Sequence, residues 1–156
     1  MELKKKSIYY WSPALSKVAT CKAVINSVYS FNKYSKNYKS CLINVCGEWN
    51  FYKEEIKKKK IFLSQLNIDY FKLLIKEGYF FSRISYLVIF ILSFFSLSRL
   101  IKKNKPDYLI VHLITSLPLI LFLLFKFDTK LILRISGLPK LNIFRKTLWR
   151  LSGKLL

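Results

Sequence analysis

The sequence predicts a doubly wound α/β fold with a mostly parallel sheet, on three observations. Strand-length apolar runs alternate with helix-length stretches in the pattern β-α-β-(β)-α-β-α-β-α. The strand candidates opening at Tyr108 and Lys130 start 22 residues apart, a comfortable length for one parallel βαβ unit. The chain has 156 residues, 53% apolar and 17% aromatic, which suits a single domain (1–156) with a real core and excludes long-range disorder.

The elements follow in order. Residues 8–11 form a short strand, and the polar stretch 12–17 is its loop. Cys21, Val24, Ile25 and Val28 recur at i, i+3, i+4 and i+7, the stripe of an amphipathic helix. Residues 41–46 form a second strand ended by Gly47, and 61–63 a third, short one after the lysine run 57–60. Residues 69–76 look helical, Gly78 breaks them, and a long helix follows from about Ser82 to Lys103. Lys105-Pro106-Asp107 stops that helix and opens the strand 108–112. A helix over 117–125, a strand over 130–135 and a last helix from near Asn142 to about Leu151 complete the pattern.

Charge narrows the partners. The chain carries 28 Lys+Arg against 8 Asp+Glu, a net +20, which points to nucleic acid, anionic lipid or phosphorylated ligands. Lysine dominates, a bias that an A+T-rich coding sequence would produce without selection for binding. Three cysteines and one histidine leave almost nothing for a four-ligand zinc site. Cys41 and Cys46, five apart in an apolar run, read as buried reduced thiols on opposite faces of a strand. The basic start Lys4-Lys5-Lys6 is followed by no apolar h-region, so the expected compartment is the cytoplasm.

Two segments compete for a membrane reading. Residues 84–97 are apolar between Arg83 and Arg99, but as a helix they reach only about 21 Å against a hydrocarbon core of about 30 Å. With Tyr79, Phe80, Phe81, Tyr86, Phe90, Phe94 and Phe95 on it and cations at both ends, this helix suits the core or the plane of a membrane interface. Anionic lipid would add roughly 1 kcal/mol of attraction per nearby Lys or Arg. Residues 108–125 carry no formal charge, yet His112, Thr115, Ser116 and Pro118 favour a strand, a cap at Thr115 or Ser116, and a helix with Pro118 in its first turn. The expectation is a soluble or peripheral protein, at most on the inner face of the plasma membrane.

In a doubly wound sheet, ligands sit at the carboxyl ends of the strands. That rule selects the loops 12–20, 112–118 and 136–145, each with hydroxyls or a cation ahead of a helix N-terminus, where free N–H groups favour anions.

The same loops resemble a known family. Tyr10-Trp11-Ser12-Pro13, Lys17-Val18-Ala19-Thr20, Gly47-Glu48-Trp49-Asn50, Lys105-Pro106-Asp107 and His112-Leu113-Ile114-Thr115-Ser116-Leu117-Pro118 resemble the opening of bacterial family-4 (GT-B) glycosyltransferases of surface-polysaccharide synthesis. The most distinctive match is Lys130-Leu131-Ile132-Leu133-Arg134-Ile135-Ser136-Gly137-Leu138-Pro139-Lys140-Leu141-Asn142, followed by Arg145-Lys146.

The resemblance implies the acceptor-side, Rossmann-like half of a GT-B architecture. Its complete enzyme would move a sugar, with retention, from a nucleotide-sugar to a glycan or lipid-linked acceptor. It implies no cofactor and no obligatory metal, the nucleotide-sugar being a substrate. The second domain, with its two glutamates spaced by seven, has no counterpart here, since Asp69 and Glu77 share the spacing but fall in the wrong domain. The chain is therefore expected to be a truncated piece, inactive alone. By the resemblance His112 matches the histidine that contacts acceptor hydroxyls and is the catalytic candidate; a neutral imidazole can donate or accept there. Ser12, Ser16, Thr20, Thr115, Ser136, Gly137, Lys140 and Arg145 are the acceptor-binding candidates, the last two for a phosphate. The first loop lacks the family's glycines, and a Cβ at Ala19 argues against phosphate contact there. The rival readings are a basic nucleic-acid-binding domain and a small membrane-associated protein.

Overall fold

A computed structural model describes residues 5–113, 115–135 and 143–153. It is a Rossmann-like α/β fold. Strands β1 (Lys6–Trp11), β2 (Tyr38–Asn44), β3 (Leu63–Gln65), β4 (Tyr108–Val111) and β5 (Lys130–Leu133) form one sheet in the order β3-β2-β1-β4-β5. Every pairing is parallel, so the expected mostly parallel sheet is wholly parallel among the described strands. Helices α1 (Ala19–Tyr34), α2 (Lys53–Lys58), α3 (Tyr79–Asn104), α4 (Ser116–Leu124) and α5 (Ile143–Gly153) make the connections.

Alternation in the strands fills two cores. Ile8, Tyr10 and Leu42 point to one face, where the predicted stripe Cys21, Val24, Ile25 and Val28 of α1 covers them together with Trp49, Tyr52 and Ile56. Trp11, Ile43, Leu109 and Val111 point to the other, against Ile89, Leu97 and Ile101 of α3 and Leu117 and Leu121 of α4. Polar contacts fix the layers. The Ser40 hydroxyl donates to the Val28 carbonyl at 3.0 Å, and Asn32 Oδ1 accepts the Ser40 N–H at 2.7 Å. At the amino edge the Asp107 carboxylate accepts the Ser7 N–H at 2.7 Å and its hydroxyl at 3.1 Å, clamping β1 to β4. The Ser7 N–H holds the Asp107 carboxyl below its ordinary value.

Four local readings are corrected. Residues 69–76 are not a helix but a loop with one 3-10 turn, Phe71–Leu73. The Cys46 carbonyl takes both the Tyr70 and Phe71 N–H groups, and Asp69 Oδ1 takes the Phe71 N–H as well, which holds the backbone in a turn. The segment of a 3-10 turn, Glu48–Tyr52, running into α2 was not foreseen. Cys46 lies beyond β2 in the turn that follows, not on the strand, although Cys21, Cys41 and Cys46 are all buried free thiols. Burial pushes the Cys41 thiol up to about 12 and that of Cys46 higher still, so both stay protonated. Strand β5 ends at Leu133 instead of residue 135.

The segment 108–125 resolves into β4, a turn and α4, as its polar seam predicts; it is not one helix. Helix α3 stops where Lys105 takes a left-handed conformation, φ +42°, with its N–H donating to the Ile101 carbonyl at 2.8 Å. A lysine there carries strain that glycine escapes. Lys105→Gly should raise stability by about 0.5–1 kcal/mol, or roughly 1–4 °C in Tm, since the exposed Lys105–Asp128 pair at 3.9 Å contributes little. A melt showing no gain or a loss would refute that assignment of strain.

Candidate functional site

The chain order of the sheet reverses between β1 and β4: β2 and β3 lie to one side of β1, and β4 and β5 to the other. Carboxyl ends of strands flanking such a reversal leave a crevice, because the loops leave in opposite directions. Trp11 pairs with Val111 at the ends of these two strands, and the His112 N–H donates to the Trp11 carbonyl at 2.8 Å. The next residues, Ser12 and His112, are therefore neighbours at the switch point.

Both are buried, Ser12 at 0% and His112 at 2% exposure. Among the described residues, neither the Ser12 Oγ nor the His112 Nε2 has a hydrogen-bond partner. Two buried polar atoms left unpaired cost about 1–3 kcal/mol each, and native folds keep such atoms where a ligand or a structural need repays them. The His112 ring stacks on Tyr10, centroids 6.1 Å apart and planes 23° from parallel, and the Tyr10 hydroxyl is hydrogen-bonded to the Ser27 hydroxyl at 2.8 Å. That fixes the imidazole plane from α1. Burial first, then the charge of Arg134, lower its pKa to about 4. At neutral pH the imidazole is uncharged, a hydrogen-bonding group and a poor proton acceptor.

Arg134 follows β5, and its N–H donates to the Val111 carbonyl at 2.9 Å, which sets it at the same level of the sheet as His112. It is exposed. On the other side Leu113 holds φ +61°, a left-handed conformation that costs a leucine on the order of 1 kcal/mol, directly after the histidine. Thr115 stands at the N-cap position of α4 and Val18 at that of α1, and neither helix start has a side-chain cap. Their first N–H groups point toward the carboxyl side of the sheet.

The structure thus gathers Ser12, His112 and Thr115 at the carboxyl edge. Ser16 is exposed on the loop after β1, and Thr20 is half-buried in the first turn of α1. Ser136, Gly137 and Lys140 lie outside the described residues; Arg145 falls in α5, but its side chain is likewise outside them. Sequence reasoning did not pick out Arg134 or Tyr10. The position of Arg134 immediately after a strand was the available signal for the first; the stacking of Tyr10 depends on β1 lying beside β4, which no local pattern announces. Among the described residues no three His, Cys, Asp or Glu side chains come together as metal ligands.

Fold and site together define a Rossmann-like α/β domain with buried polar side chains at the switch point of a parallel sheet. No family profile matches the chain, and no curated protein or solved structure shows significant similarity to it.

Proposed function

We propose that this chain is the acceptor-side domain of a GT-B glycosyltransferase, which moves a sugar from a nucleotide-sugar to a glycan or lipid-linked acceptor. The observation that carries the reading is two buried atoms without a partner among the described residues, Ser12 Oγ and His112 Nε2, on residues that follow neighbouring strand ends at the switch point. A sugar hydroxyl both donates and accepts, and it matches a hydroxyl beside a neutral imidazole better than an anion does. His112 positions the acceptor hydroxyl through Nε2, Ser12 takes a second contact, and Arg134 offers a cation to a phosphate on the acceptor. Transfer forms a bond from the acceptor oxygen to the anomeric carbon and breaks the bond from that carbon to phosphate. The nucleoside diphosphate and the acceptor's proton leave. In this reading the donor diphosphate is held by a second domain.

One imidazole in the chain makes the test direct. With 15N-labelled histidine, the single Nε2 resonance should shift on titration with oligosaccharides or a short-chain prenyl-phosphate sugar. It should stay in place with single-stranded DNA. A resonance that moves with DNA and with no sugar overturns the proposal in favour of the nucleic-acid reading.

A further inference from the structure

We infer that the exposed side of α3, with the loop before it, docks in the plane of an anionic lipid bilayer. Helix α3 has 26 residues and is about 39 Å long, whereas β1 with six residues spans about 20 Å. Its carboxyl end lies on the sheet, where Leu97 and Ile101 are buried with Trp11 and Leu109. Its amino-terminal part runs on past the carboxyl ends of the strands, and the Tyr86 hydroxyl lies against the Leu15 backbone in the loop after β1.

Along the outer side Phe80, Ile84, Leu87, Ile91 and Phe95 recur at helical spacing and stand 41–73% exposed. The loop 66–78 is tied to the buried side of the same helix, with Asn67 Nδ2 donating to the Ser93 hydroxyl at 3.2 Å and the Ser85 hydroxyl to the Ile75 carbonyl at 2.6 Å. Its Ile68 and Leu73 are each 84% exposed as well. A soluble monomer rarely shows so long a continuous apolar strip.

Charge identifies the occupant. The helix contains no Asp or Glu, and exposed Lys72 and Lys76 stand at one end of the strip with Lys102 and Lys103 at the other. Two exposed carboxylates, Asp69 and Glu77, share that loop, and Asp69 is already bonded to Asn50 and the Phe71 N–H. Apolar side chains flanked by lysines match acyl chains beneath anionic headgroups. The helix passes a length and hydropathy test for a membrane span over Phe80–Asn104, at mean hydropathy 2.0. Its opposite side, however, is core: Ile89, Ser93 and Leu97 are at most 1% exposed, and crossing a bilayer would strip them from the sheet. Docking in the plane keeps the fold and brings the loop of Ser12 and Ser16 to the lipid surface.

The inference goes beyond the proposed activity and is read without any sugar, by flotation of the full chain with vesicles. Binding should be strong to phosphatidylcholine vesicles containing phosphatidylglycerol and about tenfold weaker to phosphatidylcholine alone. The double substitution Ile91→Ser with Phe95→Ser, at exposed positions, should cut binding about tenfold with the thermal melt unchanged. Lys72→Glu with Lys76→Glu should reduce binding to the anionic vesicles only. Equal flotation of the serine variant overturns the inference. So does retention of the wild-type chain after carbonate washing, which marks a span, or a homodimer that the serine pair dissociates without any vesicle binding.

Discussion

Replacing Gly47 by alanine is expected to lower the free energy of unfolding by about 3 kcal/mol, or roughly 6–12 °C in Tm. Gly47 sits at φ +101° and ψ 9°, a conformation that L side chains rarely adopt. A Cβ there would lie 2.2 Å from Asp69 Oδ1 and 2.4 Å from its Cγ. The aspartate can move, but moving it breaks the bonds it accepts from Asn50 Nδ2 at 2.8 Å and the Phe71 N–H at 3.1 Å. The first joins the turn after β2 to the loop 66–78, and the second holds that loop in its turn. The glycine also lets Glu48 fold back, so that its buried carboxylate accepts the Val45 N–H at 3.0 Å and the Cys46 N–H at 2.9 Å. Burial raises the Glu48 carboxyl, and those N–H groups oppose the rise.

Denaturant melts of Gly47→Ala, Asp69→Ala and the double variant separate the two costs. The clash requires that alanine at 47 cost clearly less once Asp69 is gone, with a coupling of about 1 kcal/mol. A strictly additive pair would leave backbone strain alone, and a loss under about 0.5 kcal/mol would remove that too.

The same corner shows where sequence patterns stop being legible. The stripe of α1 and the stop at Lys105-Pro106-Asp107 were readable because each is set by neighbours within a turn or two. The turn Glu48–Tyr52 was not, because its anchors are tertiary: the Trp49 Nε1–H donates to the Ile43 carbonyl at 3.0 Å, and the Glu48 carboxylate to which Val45 and Cys46 donate is held in the core. Residues 69–76 show the converse. Their apolar spacing suits a helix, but Phe71 and Leu74 are buried against the sheet from a loop whose N–H groups are already taken by Cys46 and Asp69.

Site residues divide along the same line. Ser12 and His112 follow strands, so the strand-end rule finds them one at a time. That the two residues are neighbours, that Tyr10 backs the imidazole, and that Arg134 helps keep it neutral follow from the order β3-β2-β1-β4-β5, which local periodicity does not encode.

That environment makes His112 a group through which pH should act on the fold. Its pKa falls from 6.5 to about 4, chiefly because burial disfavours the imidazolium and secondarily because Arg134 repels it. Above pH 6.5 neither folded nor unfolded chain protonates the ring, and His112 has no effect. Between 6.5 and 4 the unfolded chain takes up a proton that the folded chain refuses, so stability falls as the pH falls. Over that window the loss through this one group is about 3 kcal/mol.

Carboxylates such as Asp107 add their own slopes, so the comparison must be with His112→Gln, in which they are unchanged and cancel in the difference. The wild type should lose stability relative to that variant as pH drops from 6.5 to 4, and the two should run parallel above. Arg134→Gln should raise the His112 pKa by less than the full shift, because burial is the larger cause. An imidazole titrating near 6.5 in the folded chain, or parallel stability curves below it, would sink the argument. The consequence for the crevice is specific. A ring held neutral down to about pH 4 keeps one nitrogen as donor and the other as acceptor throughout the physiological range. His112 is thereby suited to hold a hydroxyl whose own proton must point one way, and poorly suited to remove that proton.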